Sequence, residues 1–144
     1  MATFDLQRFA TAQDGVIDTV LAELRAARKR THWMWFVFPQ LRGLGASSMA
    51  QHYGIASLDE ARAYLADPVL GPRLRQCCEL MLAAPPERSA LDILGSPDDL
   101  KFRSCLTLFS LADPDEAVFR QALQRFYAGR PDPRTLALCG TMDP

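Results

Sequence analysis

The sequence predicts an all-α fold: a compact multihelical single domain with short irregular connections. Three observations predict it. A capping oxygen is followed by proline at Asp67-Pro68, Ser96-Pro97, Asp113-Pro114 and Asp132-Pro133. The oxygen can accept an orphan backbone N–H, and the fixed φ of proline suits the first helical position. Apolar residues recur at i, i+3 and i+4 along most of the chain. No alternating strand pattern runs longer than a few residues, and no Asn-Gly or Asp-Gly turn joins two apolar runs.

Taken in order, Val16, Ile17, Val20, Leu21 and Leu24 predict an amphipathic helix over about residues 14–27, with Asp18, Glu23 and Arg25 on its polar face. The run Trp33-Met34-Trp35-Phe36-Val37-Phe38-Pro39 fits a short strand, a helical turn or an extended buried segment, and periodicity does not choose among them. Residues 40–48, with Gly43, Gly45, Ser47 and Ser48, read as an irregular connection. Ser57 with Glu60 three positions on predicts a capping box. Leu70, Leu74, Cys77, Cys78, Met81 and Leu82 form a stripe stopped by Pro85-Pro86, with a bend expected at Gly71-Pro72. Leu100, Phe102, Cys105, Leu106, Leu108, Phe109 and Ala112 are apolar over too much of the circumference for a surface helix, which predicts a central one. Val118, Phe119, Ala122, Leu123 and Phe126 predict the next, closed by Gly129. No repeat or linker divides the chain, so residues 1–139 are expected to form one helical domain and 140–144 a loose tail.

Composition narrows the function classes. The chain has 144 residues, 49 % of them apolar, long enough to bury a core without staples. Its 16 Lys and Arg balance 17 Asp and Glu, which argues against a surface built for nucleic acid. No apolar run approaches a membrane span and the start shows no signal peptide, so a cytoplasmic protein without membrane attachment is expected. Cys77 and Cys78 are adjacent, Cys105 and Cys139 isolated, and no CxxC or Cys/His spacing is present. Buried thiols are expected, with no metal site and no cofactor.

Charge is nevertheless uneven along the chain. Residues 24–58 contain no Asp or Glu, yet hold Arg25, Arg28, Lys29, Arg30 and Arg42, both histidines, His32 and His52, and both tryptophans, Trp33 and Trp35. Cations at the end of a helix favour its negative dipole, which accounts structurally for Arg28, Lys29 and Arg30. The functional account is an anion site, where guanidinium groups fork onto phosphate or carboxylate and an aromatic face stacks on a ring. Burial in the core is the plain use of the tryptophans, and a hydrogen-bonded side chain that of the histidines. A second polar cluster, Ser96 to Ser104, carries Asp98, Asp99, Lys101 and Arg103. Asp98 and Asp99 suit a helix first turn, and an exposed Asp99–Arg103 pair contributes only about 0.3–0.5 kcal/mol. If the aromatic run packs beside this helix, the two clusters share a cleft. The candidate site then has His32 and Asp99 as proton-handling catalytic residues. Its ligand-binding residues are Arg30, Trp33, Trp35, Gln40, Arg42, Asp98, Lys101 and Arg103.

These same motifs carry a resemblance. Lys29 to Leu41 (KRTHWMWFVFPQL), Gly43-Leu44-Gly45 with Ser48-Met49-Ala50, Tyr53-Gly54-Ile55, Glu60 to Leu65, Pro68 to Leu74 and Asp98 to Cys105 occur in order over nearly the whole chain. In them the chain resembles the bacterial family called domain of unknown function 1810, sometimes mislabelled calpastatin. The resemblance implies an all-helical monomer and brings no established activity. Calpain inhibition by disordered repeats would need a composition unlike this half-apolar chain. Asp67 and Phe102 stand where the family pattern has His and Leu, outside the proposed site. Two functions follow as expectations: binding or processing of a small anionic ligand, nucleotide or nucleotide-sugar-like, or a non-catalytic helical module that docks a protein partner.

Overall fold

The computed structural model describes residues 4–142, with side chains through residue 140. Among the described residues there are ten helices and no strands. They are α1 (Gln7–Asp14), α2 (Ile17–Arg25), α3 (Met34–Val37), α4 (Ser48–His52), α5 (Leu58–Ala66), α6 (Leu70–Leu82), α7 (Ala90–Leu94), α8 (Asp98–Ala112), α9 (Ala117–Tyr127) and α10 (Pro133–Met142). The all-α class read from periodicity is the observed one. No helix is long and apolar enough to cross a membrane.

Helix α8 is the hub. It packs against α5, α7, α9 and α10, while α6 lies against α2, α5 and α9. Phe102, Cys105, Leu106, Leu108 and Phe109 are completely buried, as the all-round apolar pattern requires. Rings interlock along this axis: Phe38 lies 4.7 Å from Phe102, and Tyr64 lies 5.3 Å from Phe109, centroid to centroid. Burying each such side chain contributes about 1.5–3 kcal/mol, so the core rather than helix propensity holds the short helices. All four cysteines are buried. Burial pushes the Cys77 thiol up to about 12 and those of Cys78 and Cys105 well above the ordinary range, which keeps them protonated.

The proline devices divide in two. Asp67 Oδ2 accepts from the N–H groups of Val69 and Leu70 at 3.0 and 2.9 Å, and Asp132 Oδ2 accepts from Thr135 N at 3.0 Å, so both open helices by capping. Ser96 makes no cap. The Ser96–Pro97 bond is cis, and α8 begins at Asp98 with the Asp99 N–H on the Gly95 carbonyl. Asp113 closes a turn, and α9 starts only at Ala117. Ser57 caps α5 through Glu60 N, but Glu60 turns its own carboxylate to Ala56 N; the reciprocal box is instead Ser89 with Asp92.

Other differences have local causes. Residues 14–27 do not form one helix, because the chain turns at Gly15 and Val16 between α1 and α2. Helix α6 runs unbroken through Gly71-Pro72, since Pro72 lies in the first turn, where its missing N–H costs nothing. Gly71 is required by contact: a Cβ there would lie 2.2 Å from the Leu65 carbonyl oxygen. The aromatic run forms the single turn α3. An isolated parallel bridge between Leu41 and Ile55 follows it, with Ile55 N donating to Gln40 O and Arg42 N to Ile55 O. Helix α10 continues through Gly140 to Met142, into the segment expected to be a tail, whose last two residues lie outside the described ones.

Candidate functional site

The chemistry of the acid-free stretch begins one residue before it, at Glu23. This carboxylate is 8 % exposed and sits on the last turn of α2. Its Oε1 accepts from Arg30 N at 2.8 Å, Thr31 N at 3.2 Å and the Trp33 indole N–H at 2.9 Å; its Oε2 accepts from Thr31 Oγ1 at 2.7 Å. Burial alone would raise its pKa, but these donors outweigh burial and hold it down to about 2. Glu23 thereby shapes the 28–33 connection and fixes Trp33, which is 1 % exposed. No ring ligand reaches the face of Trp33. Arg30 and His32 stand exposed on the outside of that connection.

Asp98, in the first turn of α8, lies behind the same segment. Lys29 Nζ is 2.9 Å from Asp98 Oδ2 and 5.1 Å from the Trp33 ring centre. On the other side, Lys101 Nζ is 3.8 Å from Asp98 Oδ1 and 5.1 Å from the Trp35 ring centre. Two lysines thus share one carboxylate, each resting on a different tryptophan. Asp99, one residue on, is partly buried. Its Oδ1 is shielded and has no hydrogen-bond partner among the described residues, while its backbone carbonyl accepts from the Tyr127 hydroxyl.

In front of this arrangement lies a cleft of about 420 Å³. Its walls are Gln40, Leu44 and Gly45 from the segment pinned by the Leu41–Ile55 bridge, Leu100, Lys101, Arg103 and Ser104 from α8, and Asp132 and Arg134 at the start of α10. Three cations therefore face one carboxylate. Asp132 Oδ2 is committed to Thr135 N and Thr135 Oγ1, the latter at 2.6 Å. Arg103 donates through Nε to Arg130 O at 2.8 Å and through Nη2 to Pro131 O at 2.9 Å, which fixes its plane and uses two of its five donors. Arg134 has no ion-pair partner among the described residues and is exposed. Behind the cleft, Met34, Trp35, Phe38, Ala50 and Tyr53 line a narrow slot with about 10 Å³ of room, one water's worth; Gln40 and Lys101 form a wall common to both.

The structure thus brings Gln40, Lys101 and Arg103 to one cleft and Trp35 to its back, with Asp98 beside Lys101. Arg30, His32 and Asp99 do not line it. Arg42 lies elsewhere, in an open depression with Arg8, His52 and Glu60, and donates to Gly54 O at 3.2 Å. Sequence reasoning missed Arg134, Asp132 and Leu44. A signal existed for Arg134: a cation in a helix's first turn opposes the dipole, so it is misplaced unless an anion joins it. Among the described residues no group of His, Cys, Asp and Glu is arranged to hold a metal ion.

Comparison with known proteins places the chain. The family model described as protein of unknown function (DUF1810) matches residues 3–139. The chain belongs to the DUF1810 family. Within reach of this DUF1810 fold is the conserved hypothetical protein Rv1873 from Mycobacterium tuberculosis, known from a crystal structure. The two are 52 % identical, the match covers 95 % of this chain and 97 % of that one, and the TM-score is 0.93. No curated protein matches the chain. The family membership expected from the Lys29–Leu41 and Asp98–Cys105 motifs is therefore shown, and those motifs supply Gln40, Leu100, Lys101, Arg103 and Ser104 of the cleft and Met34, Trp35 and Phe38 of its back wall.

Proposed function

We propose that the protein binds a small anionic ligand, of nucleotide or nucleotide-sugar character, in the cleft between α8, the 40–45 segment and the start of α10. The observation that carries this reading is the convergence of Lys101, Arg103 and Arg134 on one concavity whose single carboxylate, Asp132, is already used by Thr135. An anion is the group that such an excess of donors accepts. The volume of about 420 Å³ falls within the range of small-molecule sites. Leu44 and Leu100, the latter 59 % exposed, offer apolar contact to the uncharged part of the ligand. The buried thiols of Cys77, Cys78 and Cys105 fit a reducing, cytoplasmic compartment in which phosphorylated metabolites occur. Processing of the ligand would require His32 or Asp99 to reach it, and neither lines the cleft, so the proposal is one of binding.

Isothermal titration with AMP, ADP, ADP-ribose and inorganic phosphate tests it. Saturable binding is expected, weakened about tenfold by Arg134→Ala, the loss of roughly one charge-assisted hydrogen bond. No heat at millimolar ligand, or unchanged affinity in both Arg134→Ala and Lys101→Met, would overturn the proposal.

A further inference from the structure

Lys101 is the charged residue common to the cleft and the slot behind it. Its position is held loosely. The carboxylate it approaches, Asp98, is already taken at 2.9 Å by Lys29, and Lys101 stays at 3.8 Å, beyond hydrogen-bond length. Its other partner is the face of Trp35. A lysine carries its charge on a flexible four-carbon stem, so a stronger anion within reach moves the ammonium at little cost. The slot it lines has aromatic walls but is too small for a ring as it stands: Trp35, Phe38, Tyr53 and Met34 line a space that holds about one water.

Resting on the anion-binding reading above, we propose that Lys101 is a gate that couples the two compartments. An anion seated against Arg103 and Arg134 draws the Lys101 ammonium off Trp35 into the cleft. The stem leaves with it, and the aromatic slot opens to the ring of the same ligand. The ligand class selected is then a ring joined to an anionic group, preferred over either part alone. A nucleoside without phosphate meets a closed slot, and phosphate without a base leaves the opened slot unfilled. Because linkage is reciprocal, anion and ring must each tighten the other's binding by the same factor.

The test is a titration of adenosine into the full-length protein with and without saturating inorganic phosphate, beside direct titrations of phosphate and AMP. Phosphate is expected to tighten adenosine about fivefold or more in the wild type. In Lys101→Met, which keeps an apolar stem without charge, phosphate should leave adenosine affinity unchanged; a melting curve confirms that the variant is folded. If phosphate and AMP bind but adenosine is indifferent to phosphate or does not bind beside it, the gate is wrong and the anion site stands. Retained coupling in Lys101→Met would likewise remove Lys101 from the role. If neither phosphate nor AMP binds, both the gate and the anion site fall.

Discussion

A carboxylate that accepts four hydrogen bonds while nearly buried fixes everything its donors belong to, and Glu23 does this for residues 30–33. Glu23→Ala leaves the indole N–H of Trp33 buried without an acceptor and is expected to cost about 2–3 kcal/mol in denaturant unfolding. The pH dependence has a definite sign. The folded-state pKa lies near 2, below the ordinary carboxylate value of 4.5, so the stabilisation is fully present above about 4.5 and is lost as pH falls from there towards 2. The stability gap between wild type and Glu23→Gln should therefore narrow through that window; a gap constant between pH 6 and 2.5 would contradict the ionised latch. Arg103 has a similar double character. Because it holds the carbonyls of Arg130 and Pro131, Arg103→Ala should lower stability by about 1–3 kcal/mol as well as weaken ligand. Arg134→Ala, which breaks no ion pair among the described residues, isolates the binding effect.

At the scale of elements, what could be read from the sequence depended on length. Helices α6, α8 and α9, with 13, 15 and 11 residues, offer a full window for the 3.6 period and were legible. Helices α4 and α7 have five residues each, too few for any periodicity, and only their capping serines, Ser47 and Ser89, signal them. Helix α1 escaped because its inward face is polar as well as apolar. Phe9 and Gln13 are both buried, and Gln13 donates to Phe36 O and to the Tyr64 hydroxyl, a use that hydropathy reads as surface. Arg8 of the same helix pairs with Glu60 at 3.1 Å, with side chains only 9 % and 3 % exposed, and ties α1 to α5 across 52 residues of sequence. Removing one partner of such a pair is costly, so Arg8→Ala should destabilise by about 3–5 kcal/mol. Capping is cheaper: Ser89→Ala, which dissolves the box with Asp92, should cost about 1 kcal/mol. A loss equal to that of Arg8→Ala would show that α7 contributes more than its cap.

Over the whole molecule, the near balance of 16 cations and 17 anions conceals how charge is shared between distant segments. The stretch without acids is held by acids at its borders and far along the chain: Glu23 just before it accepts from Arg30 N and Thr31 N, Glu60 just after it accepts from Ala56 N, and Asp98 on α8 pairs with Lys29. Periodicity shows none of these pairings, because each is set by how helices pack on the α8 hub. For the same reason Gln40, Lys101 and Arg103 were legible as site candidates while their convergence with Arg134 was not. A cleft is a property of three segments, and residues 40, 101 and 134 are brought together only by the packed core. The central claim is that this cleft takes a small anion. Its most direct measurement is a backbone amide NMR titration of the full-length protein with AMP. The account predicts saturable shifts concentrated at Gln40, Leu44, Leu100, Lys101, Arg103 and Arg134, and their loss in Arg134→Ala; shifts confined to the depression around Arg42 and His52, or none at all, would contradict it.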